Sequence, residues 1–227
     1  MACDPSAAYG HTAHFYGGDY PACLVADFIA AGLRAGDACS VILTPPNRLA
    51  VERQLRARGF GVGVGVGVGV GVGVGVGTGN TSIGSCRGTC QVVDTHLALA
   101  TLVVGGCLDL VLARSMLTDM FSRTAPGTSS GGKRLAGDLA PTLFAAGQAD
   151  DALAIERLVD TLAAAHRAAV FCAYPIKDVC QGASTRSLFR VCAEHASLEF
   201  PERLWVQDLL DKSGCRTGPR LATTRFA

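Results

Sequence analysis

The chain has 227 residues, of which 49% are apolar and 17% charged, and twenty Lys and Arg against nineteen Asp and Glu give a net charge of +1. This length can bury a substantial hydrophobic core, and the low charged fraction argues against general disorder. The balance of charge argues against a basic nucleic-acid footprint and against polybasic docking to a membrane.

Short apolar runs alternate with helical patterns in the first part of the chain. The predicted elements are a strand over 13–16, a helix introduced by Asp19 and Pro21 and ended by Gly36, a strand over 39–44, and a helix over 47–58. A continuous apolar run such as CSVILT is typical of a strand that is buried on both faces.

The second part of the chain continues the alternation. The predicted elements are a strand over 90–94, helices over 95–104 and 109–121, a strand over 133–137, helices over 139–146 and 150–167, a strand over 170–174, and a helix over 185–195. Alternating β and α elements predict an α/β fold, a single three-layer domain with a mostly parallel sheet.

A low-complexity segment, residues 60–79, alternates glycine and valine almost strictly. Glycine at every second position disfavours a helix, so this is not a membrane span. We interpret it as a flexible expansion of a surface loop, with strand formation as the alternative. The alternation also does not match G-x-G-x-x-G, the glycine pattern of dinucleotide-binding proteins. The tail from residue 213 onward is also predicted to be flexible.

The ten cysteines include no CxxC pair, and the amino terminus has no charged region followed by an apolar one. We therefore expect a cytoplasmic protein with reduced thiols. Five cysteines lie among apolar neighbours and are interpreted as small core residues: Cys23, Cys39, Cys107, Cys172 and Cys192. Cys86 and Cys90 have no second pair at zinc-ligand spacing, so no metal site is expected.

Two catalytic motifs are only partly present. Residues 127–134, GTSSGGKR, fit the start of a phosphate-binding loop, but Arg134 replaces the Ser or Thr, and the motif precedes a predicted strand. Residues 84–88, GSCRG, imitate a nucleophile elbow without an apolar strand before it. The five histidines are scattered in the sequence, so no nucleophile and base are evident and no enzyme is predicted.

Polar residues follow several predicted strands, at the edge where ligands bind in parallel sheets. They are Tyr16, Asp19, Thr44, Asn47, Asp94, Asp138 and Tyr174. Asp19, Asn47 and Asp138 have an alternative explanation as helix caps. Their placement at one edge favours a binding pocket.

Six blocks of the chain, in this order, resemble the MEDS domain, the sensory domain of the dichloromethane-dehalogenase regulator and of methanogen and methylotroph signalling proteins. The blocks are HTAHFY (11–16), the segment from FIAAGLRAGDACSVILTPP (28–46) through the following helix, VVDTHLALATLVVGG (92–106), AGDLAPTLFAAGQADDALAIERLVDTLA (136–163), FCAYP (171–175) and FRVCAEHA (189–196). The resemblance covers residues 9–200 apart from the glycine-valine insert, and leaves 201–227 as a C-terminal extension.

The resemblance implies a RecA- or KaiC-like core without a functional phosphate-binding loop, and sensing without ATP hydrolysis. The matching positions are His11, Tyr16, Asp94, Glu156, Tyr174, Pro175 and His195. Asp138 stands where the family usually has Glu, and Val159 where it has an aromatic residue. The implied ligand contacts are His11, Tyr16, Asp94, Asp138, Glu156, Tyr174 and His195, with no cofactor.

The sequence thus predicts a non-catalytic sensory domain that binds a small molecule at the carboxyl edge of the sheet. Its partner would be a signalling protein, such as a histidine kinase or a regulator of transcription or of a sigma factor, or a second copy of this chain. A protein-interaction module without a ligand is the main alternative, and residual nucleotide binding is a further one.

Overall fold

The structure is a computed structural model that describes residues 9–60, 88–122, 132–179 and 186–200. The predictions for the glycine-valine insert beyond residue 60, for residues 84–87 and 127–131 of the two partial motifs, and for the segment 201–227 lie outside these ranges. The described residues confirm an α/β fold in which helices flank a parallel sheet.

The described strands and helices alternate along the chain. The strands are β1 (Gly10–Tyr16), β2 (Ala38–Leu43), β3 (Thr89–Asp94), β4 (Val103–Val104), β5 (Cys107–Leu108), β6 (Lys133–Gly137), β7 (Ala168–Pro175) and β8 (Ser197–Glu199). The helices are α1 (Ala22–Ala35), α2 (Pro45–Ala57), α3 (Thr95–Leu102), α4 (Leu110–Ser122), α5 (Leu139–Ala145), α6 (Ala149–His166), α7 (Ile176–Val179) and α8 (Arg186–Ala193).

Among the described residues, six strands form one sheet in the order β3-β2-β6-β7-β1-β8, and every pair in it is parallel. Helices α1 and α2 pack on one face of this sheet. Helices α3 to α8 pack on the other face, where they enclose the larger part of the core. The domain therefore has three layers, as predicted.

The structure corrects the prediction between residues 102 and 110. The predicted helix to residue 104 ends at Leu102, and β4 and β5 form an antiparallel hairpin. Gly105 and Gly106 have φ angles of 61° and 82°, as both central residues of a type I′ turn require. The sequence Val-Val-Gly-Gly-Cys-Leu carries this signal, which the helical interpretation overlooked.

Two further differences concern β1 and its neighbour β8. Strand β1 starts at Gly10, earlier than predicted, because its pairing with β7 extends over its polar first half. Strand β8 was not predicted, since it has only three residues and lies at the edge of the sheet.

Only two of the five cysteines interpreted as core residues are buried, Cys39 and Cys172. Cys192 is half-buried, and Cys23 and Cys107 are exposed. Cys23 lies on the solvent side of α1, and Cys107 belongs to the hairpin. None of the described helices combines the length and apolar character that crossing a membrane requires.

Asp37, which directly precedes β2, connects the starts of β2, β3 and β6 at the amino edge of the sheet. Its side chain accepts hydrogen bonds from Gly132 N and Arg134 Nε, each at 2.8 Å. Its carbonyl accepts from Thr89 N at 3.2 Å. A Cβ atom on Gly132 would lie 2.7 Å from Asp37 Oδ1, so glycine is needed for this close approach. Asp37 thus fixes the start of β6. Lys133, the lysine of the partial phosphate-binding motif, is the first residue of this strand.

We predict that Asp37→Ala lowers the free energy of unfolding by about 3 kcal/mol, because it leaves the guanidinium of Arg134 without its carboxylate in a site where both side chains are nearly buried. Asp27→Ala is the matched control. Its carboxylate pairs with Arg58 at 2.7 Å, but the Asp27 side chain is 57% exposed, so the loss should stay below about 1 kcal/mol. Urea denaturation measures both, and equal losses would contradict the structural role of Asp37.

Candidate functional site

A buried polar cluster lies between the sheet and α6. Its members are His11 on β1, Cys172 and Tyr174 on β7, Glu156 on α6, and His195, which follows α8; we call these five residues the Glu156 cluster. Side chains alternate along a strand, so His11 shares a sheet face with Ala13 and Phe15, and Cys172 shares it with Val170 and Tyr174. The parallel pairing of β1 with β7 therefore places these polar residues together.

The atoms of the cluster converge on one oxygen of Glu156. Glu156 Oε2 lies 3.1 Å from His11 Nε2 and 3.2 Å from His195 Nε2. The hydroxyl of Tyr174 donates a short hydrogen bond to the other oxygen, Oε1. The two imidazole centroids are 4.0 Å apart, and Cys172 Sγ lies 3.3 Å from His11 Nε2.

Charge governs the protonation of this cluster. Burial opposes ionisation of Glu156, but the close contacts with His11 and His195 and their positive charge outweigh it and hold the pKa of Glu156 well below its ordinary value. Burial works against the charged form of His195, and the contact with Glu156 nevertheless raises its pKa. Glu156 is therefore a carboxylate around neutral pH.

The distance between Cys172 and His11 is that of the nucleophile and base in a cysteine enzyme, but their other properties differ. Burial, followed by the negative charge of Glu156, raises the pKa of the Cys172 thiol well above its usual range. A nucleophilic cysteine needs the opposite shift and an accessible sulfur. Cys172 is buried beneath the helical layer. Cys172 therefore lacks both the low pKa and the accessibility that a nucleophilic cysteine needs.

A second polar group, at the carboxyl edge of the sheet, surrounds Asp138; we call it the Asp138 network. The carboxylate accepts hydrogen bonds from Thr44 N at 3.0 Å, from Asn47 Nδ2 at 2.8 Å, and from the hydroxyls of Thr44 and Thr95. Because Thr44 precedes α2, Thr95 begins α3 and Asp138 precedes α5, one buried carboxylate connects the starts of three helices.

The structure changes the interpretation of the predicted caps. Asp138 occupies the N-cap position of α5, but its side chain makes no capping hydrogen bond there. Asp94, in contrast, accepts from His96 N and Leu97 N and caps α3. Thr44, rather than Asn47, stands at the N-cap of α2, and Pro21, rather than Asp19, at that of α1.

The residues proposed as ligand contacts divide into separate groups. His11, Glu156, Tyr174 and His195 come together in the Glu156 cluster, inside the domain. Tyr16 lies at the end of β1, where burial and then the carboxylates of Asp138 and Asp178 raise its pKa to about 12. Asp94 lies at the end of the edge strand β3. The seven residues therefore do not line one common hollow.

A small cavity lies between the Asp138 network and the Glu156 cluster. Its volume is about 20 Å³, room for a single water molecule, and its walls are almost wholly apolar. Gly137 and Leu139, which flank Asp138, form one part of the wall, and Glu156 and Cys172 form another. A sensed molecule larger than water does not fit this cavity.

Compared with family models, curated proteins and solved structures, the chain gives no match. The resemblance to the MEDS domain therefore stays a prediction that depends on the sequence blocks alone.

Sequence motifs alone gave no sign of these sites. The motif search treated the histidines as scattered, whereas the resemblance implied His11 and His195 together as ligand contacts, and their rings are in contact. Sequence reasoning treated Cys172 only as a core residue, although its sulfur belongs to the Glu156 cluster. The alternation of Val170, Cys172 and Tyr174 on one strand was the available signal, since it places the thiol on the same face as the tyrosine.

We predict that Thr95→Val lowers the free energy of unfolding by about 2 kcal/mol, because the buried carboxylate of Asp138 loses a hydrogen-bond donor. Thr101→Val on the same helix is the control. Thr101 is exposed and donates only to the helix carbonyl of Ala98, so its loss should stay within about 0.5 kcal/mol. Chemical denaturation distinguishes the two variants, and a neutral Thr95→Val would contradict the importance of the network.

Proposed function

We propose that the chain is a non-catalytic cytoplasmic sensory domain, which binds a small molecule at the carboxyl edge of its sheet and transmits the signal to a partner protein. The proposal combines the resemblance to the MEDS domain with the Asp138 network. The network is the observation that carries it, because it gathers polar side chains at the edge where parallel sheets bind ligands.

The Asp138 network offers a means of response. A ligand that contacts Tyr16 or Asp138 perturbs hydrogen bonds that connect α2, α3 and α5. Such a ligand changes the conformational equilibrium only to the extent that it binds one arrangement of these helices more tightly than another. The partly apolar surroundings of Tyr16 and Tyr20 suit a small molecule with one polar group.

The proposed output surface extends from the first turn of α3 to the first turn of α4. Five large apolar side chains are exposed between residues 97 and 112: Leu97, Val104, Leu110, Val111 and Leu112. Exposed apolar side chains concentrated in one region commonly mark a protein-interaction site. Since Thr95 begins α3 and bonds Asp138, this helix joins the sensing edge to the exposed segment.

We predict that at least one member of a library of small apolar acids, amines and halocarbons raises the melting temperature of the protein. Asp138→Asn and Tyr16→Phe should abolish or reduce the shift, because they alter the polar groups at the proposed site. Asp109→Asn and Tyr9→Phe are matched controls, since Asp109 caps the start of α4 and Tyr9 is exposed at the amino end of β1. Thermal-shift measurements on all five proteins provide the test. A shift that both site variants retain in full would contradict the proposed location.

A protein-interaction module without a ligand is the second candidate, and the exposed segment 97–112 favours it. For interaction with a second copy of the chain, this alternative predicts that Val111→Lys weakens self-association about tenfold or more, because Val111 is 77% exposed and a lysine in its place would carry an unpaired charge into the contact. Sedimentation velocity measures the change. Leu49→Lys, on the α2 side of the sheet and 53% exposed, should leave it unaltered.

The two candidates give different combinations of results. Stabilisation by a library compound, lost in Asp138→Asn, supports the sensory proposal. Absence of any stabilising compound, together with self-association that depends on Val111, supports the interaction module.

A further inference from the structure

We propose that the Glu156 cluster is a structural zinc site, in which His11 Nε2, Glu156 Oε2, Cys172 Sγ and His195 Nε2 are the four ligands. These four donor atoms all lie within 4.8 Å of one another, and all four residues are buried. The site is independent of the small-molecule site at the carboxyl edge, and either one can exist without the other.

Three of the six separations between donor atoms are close to those of tetrahedral coordination, and the other three are at most 4.8 Å. Zinc bonds of about 2.0 to 2.2 Å to nitrogen and oxygen place neighbouring ligand atoms about 3.3 Å apart. The contacts of Glu156 Oε2 with the two histidine nitrogens, 3.1 and 3.2 Å, are close to this value. The longer zinc–sulfur bond of about 2.3 Å sets the nitrogen–sulfur separation at about 3.5 Å, and His11 Nε2 lies slightly nearer to the sulfur, at 3.3 Å.

The hydrogen-bond geometry points to a shared cation. Neither Glu156 Oε2 nor His195 Nε2 completes a hydrogen bond of acceptable geometry, although the two atoms are 3.2 Å apart. His195 Nδ1 lies 2.7 Å from the carbonyl oxygen of Val191, to which it can only donate. In the neutral imidazole this leaves Nε2 as a bare lone pair that faces a carboxylate oxygen, and two acceptors repel one another at this distance. A proton on Nε2 would remove the repulsion, but the two atoms are not aligned for an N–H hydrogen bond. A metal ion shared by both atoms does not need that alignment.

The charges of the four ligands balance a divalent cation. The carboxylate of Glu156 and a thiolate at Cys172 contribute two negative charges, and the two imidazoles are neutral, so the loaded site has no net charge. Zn²⁺ would also reverse the preference of Cys172 for its thiol form, because a coordinating thiol loses its proton to the medium. One thiolate, two imidazoles and one carboxylate form a donor set suited to zinc.

Residues around the four ligands support their orientation. Tyr174 donates to Glu156 Oε1 and thereby directs Oε2 toward the histidines. The carbonyl of Val191 fixes the tautomer of His195, the arrangement commonly seen behind metal-bound histidines. Four protein ligands leave no position for a substrate, which is typical of a structural site. Such a site would attach α6 and the segment after α8 to β1 and β7.

The experiment measures zinc in the purified 227-residue chain and then replaces it with cobalt. The protein is purified from zinc-supplemented cultures without chelator, and its metal content is determined by mass spectrometry. It is then unfolded with chelator and refolded with Co²⁺. We expect one equivalent of zinc and, in the cobalt form, the intense visible bands of tetrahedral Co²⁺ together with a near-ultraviolet sulfur-to-cobalt band.

Matched variants identify the ligands. Cys172→Ser should remove the sulfur-to-cobalt band, whereas Cys39→Ser, which changes a buried cysteine on the opposite face of the sheet, should retain it. His195→Gln should bind less than a tenth of an equivalent of zinc, whereas His14→Gln, which removes a histidine paired with Glu199, should bind one equivalent. Tyr174→Phe should weaken zinc binding about tenfold to a hundredfold while keeping the tetrahedral spectrum.

Circular dichroism shows whether each variant is folded. If a ligand variant folds poorly, Tyr174→Phe still tests the proposal, because it retains all four ligands and changes only the support of Glu156. Less than a tenth of an equivalent of zinc in folded wild-type protein, with no tetrahedral cobalt spectrum after refolding, would overturn the proposal. A sulfur-to-cobalt band that persists in Cys172→Ser would also overturn it.

Discussion

The register between β1 and β7 is the constraint on which the interior of this domain depends. The two strands pair in parallel along seven residues of β1, from Gly10 opposite Ala169 to Tyr16 opposite Pro175. A shift of one residue would turn His11 to the opposite face of the sheet and separate it from Cys172 and Glu156. This pairing brings together polar residues that are 161 positions apart, as with His11 and Cys172.

Two of the buried carboxylates, those of Asp138 and Glu156, have different kinds of partner. Asp138 is surrounded by neutral donors from the backbone, two hydroxyls and an amide, so its hydrogen bonds form a fixed connection between helix starts. Glu156 faces two imidazoles and a phenol, groups whose protonation or coordination can change. The first arrangement suits transmission of a change at the edge of the sheet. The second suits a cation held deep inside the domain.

Local sequence patterns were sufficient to predict the fold class and the position of most elements. The apolar run in β2 and the helical spacing of α1 are local properties, and the structure confirms both elements. The three residues of β8 have no such pattern, since the strand exists only because β1 offers a partner. The turn at Gly105 and Gly106 was readable from the sequence but was assigned to a helix.

The composition of the two sites could not be predicted from the sequence, because it depends on contacts between residues that are far apart in the chain. No local pattern shows that the thiol of Cys172 contacts His11, because this contact depends on the strand order of the sheet. Asp94 and Asp138 both follow strands, and sequence alone gave them the same role. In the structure Asp94 follows the edge strand β3 and caps a helix, whereas Asp138 follows β6, which lies inside the sheet beside β2, and bonds the residues after β2 and β3.

The strand order also has a consequence for how the chain acquires its structure. In the described sheet β1 lies between β7 and β8, the last two strands of the described chain to leave the ribosome. The first strand consequently has no sheet neighbour during most of synthesis, and its apolar residues Ala13 and Phe15 stay uncovered until the final third of the chain has emerged. Closing so long a loop gives the domain a high contact order and a slow folding reaction. In the cell, chaperones that shield an exposed nascent segment would have their main task at this strand.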